Sequence, residues 1–297
     1  MFDFRLKVFH TVAKRLSFTK ASKELFITQP AVTKHIKEIE NYLNIKVFER
    51  KRSQIVLTPA GKILLEHTEA LFSLYRELEF ELNTITKNYN GRLRIGASTT
   101  IAQYILPQLL AGFHQKFGHI KVSLISGNTE KIEAELQANT IDLGIIEGRT
   151  KKSNFKYEEF IKDEIVLVAN SQHPLVKKQP ISLETLKTVP VLLREQGSGT
   201  LEVIDHHLKK TTLKTSDLSL EMELGSTESI KNYLYHSNSV AFLSIHSIFK
   251  ELKNNDFSIL DVAELNIGRH FYFIQPQGQT DPLSELFKKF ALHYNFK

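Results

Sequence analysis

Between Ser17 and Leu43 two short helical patterns meet at Phe26-Ile27-Thr28, and no other stretch of the chain restricts its fold so tightly. Val32, Ile36, Ile39 and Leu43 recur at intervals of four, three and four. They share one helix face and are expected to pack on an earlier helix carrying Leu6, Phe9, Ala13 and Leu16. Thr28 suits an N-cap, and Pro30 falls where a missing N–H costs no helical hydrogen bond. Ser17 suits the cap of a helix from Phe18 to Leu25. The opposite face of the second helix presents Gln29, Thr33 and Lys37 one turn apart, with Lys34 beside them. These side-chain types meet base edges and phosphates. The pattern predicts a helix-turn-helix reader of double-stranded DNA, with Ser17, Thr19, Thr28 and Pro30 at the helix starts completing the candidate set. A pair of amphipathic core helices in an all-α domain is the alternative it leaves open.

Charge favours the DNA reading. The first 57 residues hold 12 Lys and Arg against five acids, whereas the rest of the chain holds 27 against 28. Basicity acquired for solubility would be spread along the chain. Concentrated here, it is an electrostatic footprint for phosphate and predicts salt-sensitive binding. An acidic membrane surface would also attract it, but no long apolar segment, signal-peptide core or lipidation Cys accompanies the basic part. A cytoplasmic, non-membrane protein is expected. Val47 to Arg50 and Ile55 to Leu57 then read as two short strands joined by a cationic turn. This wing would lay Arg50, Lys51 and Arg52 along the backbone or into the adjacent minor groove. Thr58-Pro59 opens a helix expected to run to about Lys87. Its stripe of Leu64, Leu71, Leu78 and Ile85, widened by Leu74, Tyr75 and Leu82, is too long for a small winged domain to bury, so a second copy is the expected partner. His67 and Glu81 interrupt the stripe.

Phe18-Thr19-Lys20-Ala21-Ser22, Thr28-Gln29-Pro30-Ala31-Val32-Thr33, Phe48-Glu49-Arg50 and Leu57-Thr58-Pro59-Ala60-Gly61 together resemble the N-terminal signature of LysR-type transcriptional regulators. His35 and Ile39 depart from that signature. The resemblance implies a winged helix-turn-helix over 1–57, a dimerising linker helix over 58–89 and an effector-binding region over 90–297. It implies a periplasmic-binding-protein-like pair of α/β subdomains there, one from about 90–161 with 267–297 and the other from about 162–266. A homotetramer, with RNA polymerase as a further partner, is also implied.

From Asn90 onward strand-like and helix-like runs alternate, the mark of βαβ units and a mostly parallel sheet. Arg92 to Ala97, Ile120 to Ile125 and Leu143 to Ile146 read as strands, with helices over Ile101 to Phe117 and Glu130 to Ala138. A second set follows Tyr157 to Val168, and the chain near Arg269 to Ile274 and a last helix over Pro282 to Tyr294 are expected to return to the first. Ligands of open α/β sheets sit beyond strand C-terminal ends, where helix N-termini point donors outward. Ser98, Thr99 and Thr100 lie in one such loop; Arg194, Gly197, Ser198, Gly199 and Thr200 in another; Thr227 in a third; Glu147 ends a further strand. These are the candidate effector-binding residues, suited to a small anion or carboxylate. The alternative for each loop is simple N-capping. The second and third loops also resemble those of LysR-type relatives that govern sulfur assimilation or carbon fixation.

No enzyme signature competes. Gly197-Ser198-Gly199-Thr200 lacks a P-loop Lys, and neither a Gly-x-Ser-x-Gly elbow nor a His-Glu-x-x-His helix occurs. His206-His207 are adjacent, a poor metal pair. The chain has no Cys, which removes thiol sensing and cysteine metal sites. No catalytic residue, metal or cofactor is expected. The favoured function is a transcription regulator modulated by a small effector. An architectural DNA-binding protein with a non-sensing assembly domain, and a solute-binding or enzymatic α/β module, are the other two classes.

Overall fold

A computed structural model describes residues 3–51, 54–85, 91–278 and 281–296. Arg52 and residues 86–90, where the long helix was expected to end, lie outside them, as do the side chains of Lys51, Glu81, Leu82 and Ile85. The chain divides into two compact units, Met1–Leu82 and Asn83–Lys297.

In the first unit α1 (Phe4–Arg15), α2 (Phe18–Leu25) and α3 (Gln29–Leu43) precede a hairpin of β1 (Phe48–Lys51) and β2 (Gln54–Leu57), and α4 (Pro59–Ile85) follows. Ser17 accepts from Lys20 N, and Thr28 from Ala31 N, so both predicted caps form. The intervening turn closes through Phe26, whose left-handed backbone (φ 56°) directs its N–H to Ser22 and Lys23 carbonyls. The core gathers Val8, Phe9, Val12, Ala21, Val32, Ile36 and Ile39. Three expected members are absent from it: Leu6, which is only half-buried, Leu16 and Leu43. Leu16 is the left-handed C-cap of α1 and Leu43 the last residue of α3, and both are exposed. Periodicity carried them onto the right face, but each sits at the very end of its helix and is left exposed. Val8 and Val12 do the packing assigned to Leu16.

Leu64 and Leu65 of α4 pack on this core, while Leu71, Leu74 and Leu78 are exposed. Glu69 ties the helix down, with Lys14 Nζ at 2.7 Å and His10 Nε2 at 3.7 Å. Burial pushes its carboxyl up, but the hydrogen bonds and charges of His10 and Lys14 outweigh that and hold it at about 2. A depressed folded pKa contributes stability above the ordinary carboxylate range that is lost as pH falls toward the folded value. Glu69→Gln should therefore cost about 1–3 kcal/mol at pH 7, and the difference from the parent should vanish between pH 4.5 and about 2. Urea titrations followed by helix signal across that window test it.

The second unit runs β3 (Gly91–Ser98), α5 (Thr99–Tyr104), α6 (Leu106–Lys116), β4 (Ile120–Gly127), α7 (Thr129–Gln137), β5 (Leu143–Glu147), β6 (Phe155–Asn170), α8 (Leu183–Thr188), β7 (Pro190–Arg194), α9 (Gly199–Leu208), β8 (Ser219–Leu224), α10 (Thr227–Leu234), β9 (Val240–Ser244), α11 (Phe249–Lys253), β10 (Phe257–Leu260), β11 (Ile267–Pro276) and α12 (Pro282–Leu292). The helix expected over Ile101 to Phe117 is broken at Ile105. Pro107 lacks the N–H that would continue the ladder, and it falls instead at the start of α6, where that loss is harmless.

The strand order is β4-β3-β5-β11-β6-β9-β7-β8, with β10 also on β6. β3 is parallel to β4 and β5, and β7 is parallel to β8 and β9. The sheet is mixed rather than mostly parallel because β6 and β11 run antiparallel to each other and to their neighbours. These two strands cross between the subdomains. Phe155 of β6 joins one core with Ile132, Leu136 and Ile274, while Ile165, Leu167 and Ala169, with Ile267 of β11, join another beside α9 and β7. The chain returns through β11, and Phe287 of α12 stacks edge-on to Phe113 of α6 at 5.1 Å.

Candidate functional site

The first unit presents a groove between α3 and the wing. It is lined by Ser17, Thr19, Gln29, Thr33, Lys37 and Arg50 and encloses about 770 Å³. Thr28, Pro30 and Lys34 lie outside it. Gln29 and Thr33 act as a pair, since Gln29 Nε2 donates to Thr33 Oγ1 at 2.9 Å and that hydroxyl donates to the Gln29 carbonyl. Lys37 and Arg50 are exposed. What aims the wing is Glu40, which sequence reasoning missed. Buried on the inner side of α3, it accepts from Val47 N at 3.1 Å and Lys46 Nζ at 2.6 Å. Its signal was an acid inside an otherwise apolar helix face. Gly61 is required too, because a Cβ there would lie 2.1 Å from the Val47 carbonyl oxygen.

In the second unit Ser98, Thr99 and Thr100 open α5 in one subdomain, while Ser198, Gly199 and Thr200 open α9 in the other. All are buried. Simple capping does not account for them, since neither Ser98 nor Ser198 makes a side-chain cap bond. Ser98 Oγ, Thr99 Oγ1, Ser198 Oγ and Arg194 Nη1 are buried without a hydrogen-bond partner among the described residues. The remaining guanidinium nitrogens of Arg194 fork onto Glu195 at 2.8 and 3.1 Å. Burial opposes ionisation of Glu195, but Arg194 overcomes it and holds the carboxyl below its ordinary value. Thr227 begins α10 and is buried, with its helix capped by Ser226.

Glu147 and Thr200 are already engaged. Thr200 Oγ1 donates to Glu147 Oε1 at 2.7 Å, and Arg269 Nη1 donates to Thr200 at 3.0 Å. Arg269 also holds Asp163 through Nε at 2.6 Å and Glu147 through Nη2 at 3.1 Å. Ser244 Oγ completes the cluster on Asp163 at 2.6 Å. Its members come from β5, β6, α9, β9 and β11, so the crossing strands and both subdomains meet in one buried ionic network.

The subdomains also touch elsewhere. Tyr104 of α5 donates to Glu228 of α10, while Lys231 Nζ lies 4.9 Å from the Tyr104 ring centroid and pairs with Glu228 and Glu251. On the other side Asn128 Nδ2 donates to Glu195 at 3.2 Å, and Glu130 N to the Gly197 carbonyl at 3.3 Å. Gly197 is thus a rim contact. Gly199 is a close-approach position, with a Cβ placed 2.1 Å from the Glu147 carbonyl oxygen. None of the Asp163, Arg269, Tyr104 or Lys231 contacts was read from sequence. Among the described residues no His, Asp or Glu cluster is arranged to hold a metal, and no helix is long and apolar enough to cross a membrane.

Comparison with known proteins agrees with this architecture. Residues 4–62 match the model of the bacterial regulatory helix-turn-helix protein, lysR family, and residues 86–295 that of the LysR substrate binding domain. The transcriptional activator CmpR of Synechocystis sp. is 33% identical over 93% of this chain and 89% of its own. The regulatory domain of Synechocystis CcmR, solved in complex with 2-PG, is 30% identical with a TM-score of 0.63, over 68% of this chain and 96% of that one. Full-length OxyR from Pseudomonas aeruginosa, at 17% identity, shares the fold over 98% of this chain and 94% of its own with a TM-score of 0.71. With a winged reader at one end and a two-subdomain sensing region at the other, the chain belongs to the LysR family of DNA-binding transcription regulators, proteins that respond to small effectors and are not enzymes.

Proposed function

We propose that the effector is a small anion held between the α5 and α9 N-termini. The observation that carries this reading is the set of buried, unpartnered groups at those strand ends: Ser98 Oγ, Thr99 Oγ1, Ser198 Oγ and, just before α9, Arg194 Nη1. A guanidinium nitrogen only donates, and buried donors without acceptors cost about 1–3 kcal/mol each, which a carboxylate or phosphate oxygen would offset. Glu147 and Thr200 take part as the floor, transmitting occupancy to Arg269. In this reading residues 1–57 bind DNA through Gln29, Thr33, Lys34, Lys37 and the wing, and 58–89 link them to the sensing region. The exposed Leu71, Leu74 and Leu78 suit pairing of two linker helices. A homotetramer built from two such dimers, acting in the cytoplasm with RNA polymerase, completes the proposal.

The 2-PG named with CcmR is a first compound to try. Thr100→Ala/Ser198→Ala is expected to weaken its binding by about tenfold or more while operator affinity without effector stays within twofold. Calorimetry on the full chain and DNA titration read the two quantities. Equal 2-PG affinity in parent and variant would remove these hydroxyls from the site.

A further inference from the structure

We propose a second anion site, distinct from the cleft, on the outer side of the crossing strand β11. A pocket of about 450 Å³ there is lined by Arg149 and Lys151 from the β5–β6 connection, His207 and Lys210 from the end of α9, and His270 and Tyr272 from β11. No Asp or Glu lines it. Arg149, Lys151 and Lys210 have no carboxylate partner among the described residues. Lys151 instead lies 4.6 Å from the Tyr272 ring centroid. Glu159 stands 4.0 Å from His270 Nε2, and Glu202 is taken up by the backbone N–H groups of Arg149 and Thr150.

Arg149 Nη1 donates to His206 Nε2, so two basic side chains meet with no acid between them. Desolvation, then the positive charges of Arg149, Lys210 and His207, hold His206 below the ordinary imidazole range. His206 thus stays neutral as an acceptor for Arg149, and the positive potential focused in the concave site by Arg149, Lys151 and Lys210 raises the local concentration of an anion. The pocket's volume suits a metabolite-sized molecule rather than a halide. Three flexible or forked cations and a phenol suit a compact polyanion, a phosphorylated or polycarboxylate metabolite.

The position gives such binding a consequence. Arg269, between Gly268 and His270 on β11, also borders the pocket, and it is the hub joining Glu147, Asp163 and Thr200. An anion drawn to β11 from outside acts on the same strand that carries the interdomain network.

Inorganic pyrophosphate is the probe, titrated calorimetrically into the full chain at fixed ionic strength. A Lys37→Ala/Arg50→Ala background removes the cationic groove of the first unit as a competing sink. Saturable binding is expected. Adding Arg149→Ala/Lys210→Ala should weaken it by about tenfold, and at least threefold, and should do so equally in a chain already carrying Thr100→Ala/Ser198→Ala, where the cleft no longer competes for the anion. The first pair is exposed, and an unchanged melting temperature verifies its fold. Absence of saturable binding, or a loss below threefold in Arg149→Ala/Lys210→Ala, overturns the outer site. A loss confined to Thr100→Ala/Ser198→Ala assigns the anion to the cleft instead, so the two proposals fail separately.

Discussion

Arg269→Met is expected to lower the stability of the effector-binding unit by about 3–5 kcal/mol, because it strips the guanidinium that pairs with two buried carboxylates. Glu147, Asp163 and Arg269 are each more than nine-tenths buried. Thr200 and Ser244 hydroxyls satisfy further carboxylate oxygens at 2.7 and 2.6 Å, so the cluster is hydrogen-bonded as well as charge-paired. Methionine keeps most of the volume and loses all of the charge. The reasoning also predicts rescue. Neutralising the stranded acids with Glu147→Gln and Asp163→Asn in the Arg269→Met background should recover at least half of the loss, since a neutral core of similar volume often matches a buried ion pair. Urea unfolding of the three proteins decides it. A loss below about 1 kcal/mol would show that the network contributes little to stability.

The Arg269 cluster marks where sequence reasoning stopped. Elements were legible because their causes are local. The Thr28 and Ser17 caps and the α3 stripe depend on residues within one or two turns. Pro107 carried an equally local signal that the helix expected over Ile101 to Phe117 would break, and that signal was not read. Ser98 to Thr100 and Ser198 to Thr200 were legible for the same reason, as hydroxyl residues following strands at helix starts. Leu6, Leu16 and Leu43 were misplaced because periodicity says which face a side chain takes and nothing about whether another element covers it there. Asp163 and Arg269 stand 106 positions apart, and Tyr104 and Glu228 124. Their partnerships are set by how β6, β11 and the cleft-facing helices come together, and no local pattern records that. Charged residues interrupting apolar strand runs were the available hint, as Glu40 was in α3.

The DNA-binding unit yields the other large expected effect, in the salt dependence of binding. If Lys34, Lys37, Arg50 and Lys51 of each protomer in a dimer meet phosphates, about eight counterions are released, the logarithmic salt slope is about −7, and affinity falls about 10⁴-fold from 50 to 200 mM salt. Lys37→Ala/Arg50→Ala removes half of those contacts. The slope should drop to about −4 on operator and random DNA alike, because phosphate contacts carry no sequence information. Gln29→Ala/Thr33→Ala should do the reverse, leaving the slope in place and cutting the preference for operator over random DNA by about tenfold to a hundredfold. The mutual hydrogen bonds of Gln29 and Thr33 make the pair, rather than either residue alone, the unit to test. Fluorescence anisotropy at four salt concentrations, on both DNAs, separates the two roles. A shallower slope from Gln29→Ala/Thr33→Ala with preference intact would mean that α3 meets the backbone there, and that the bases are read from another surface.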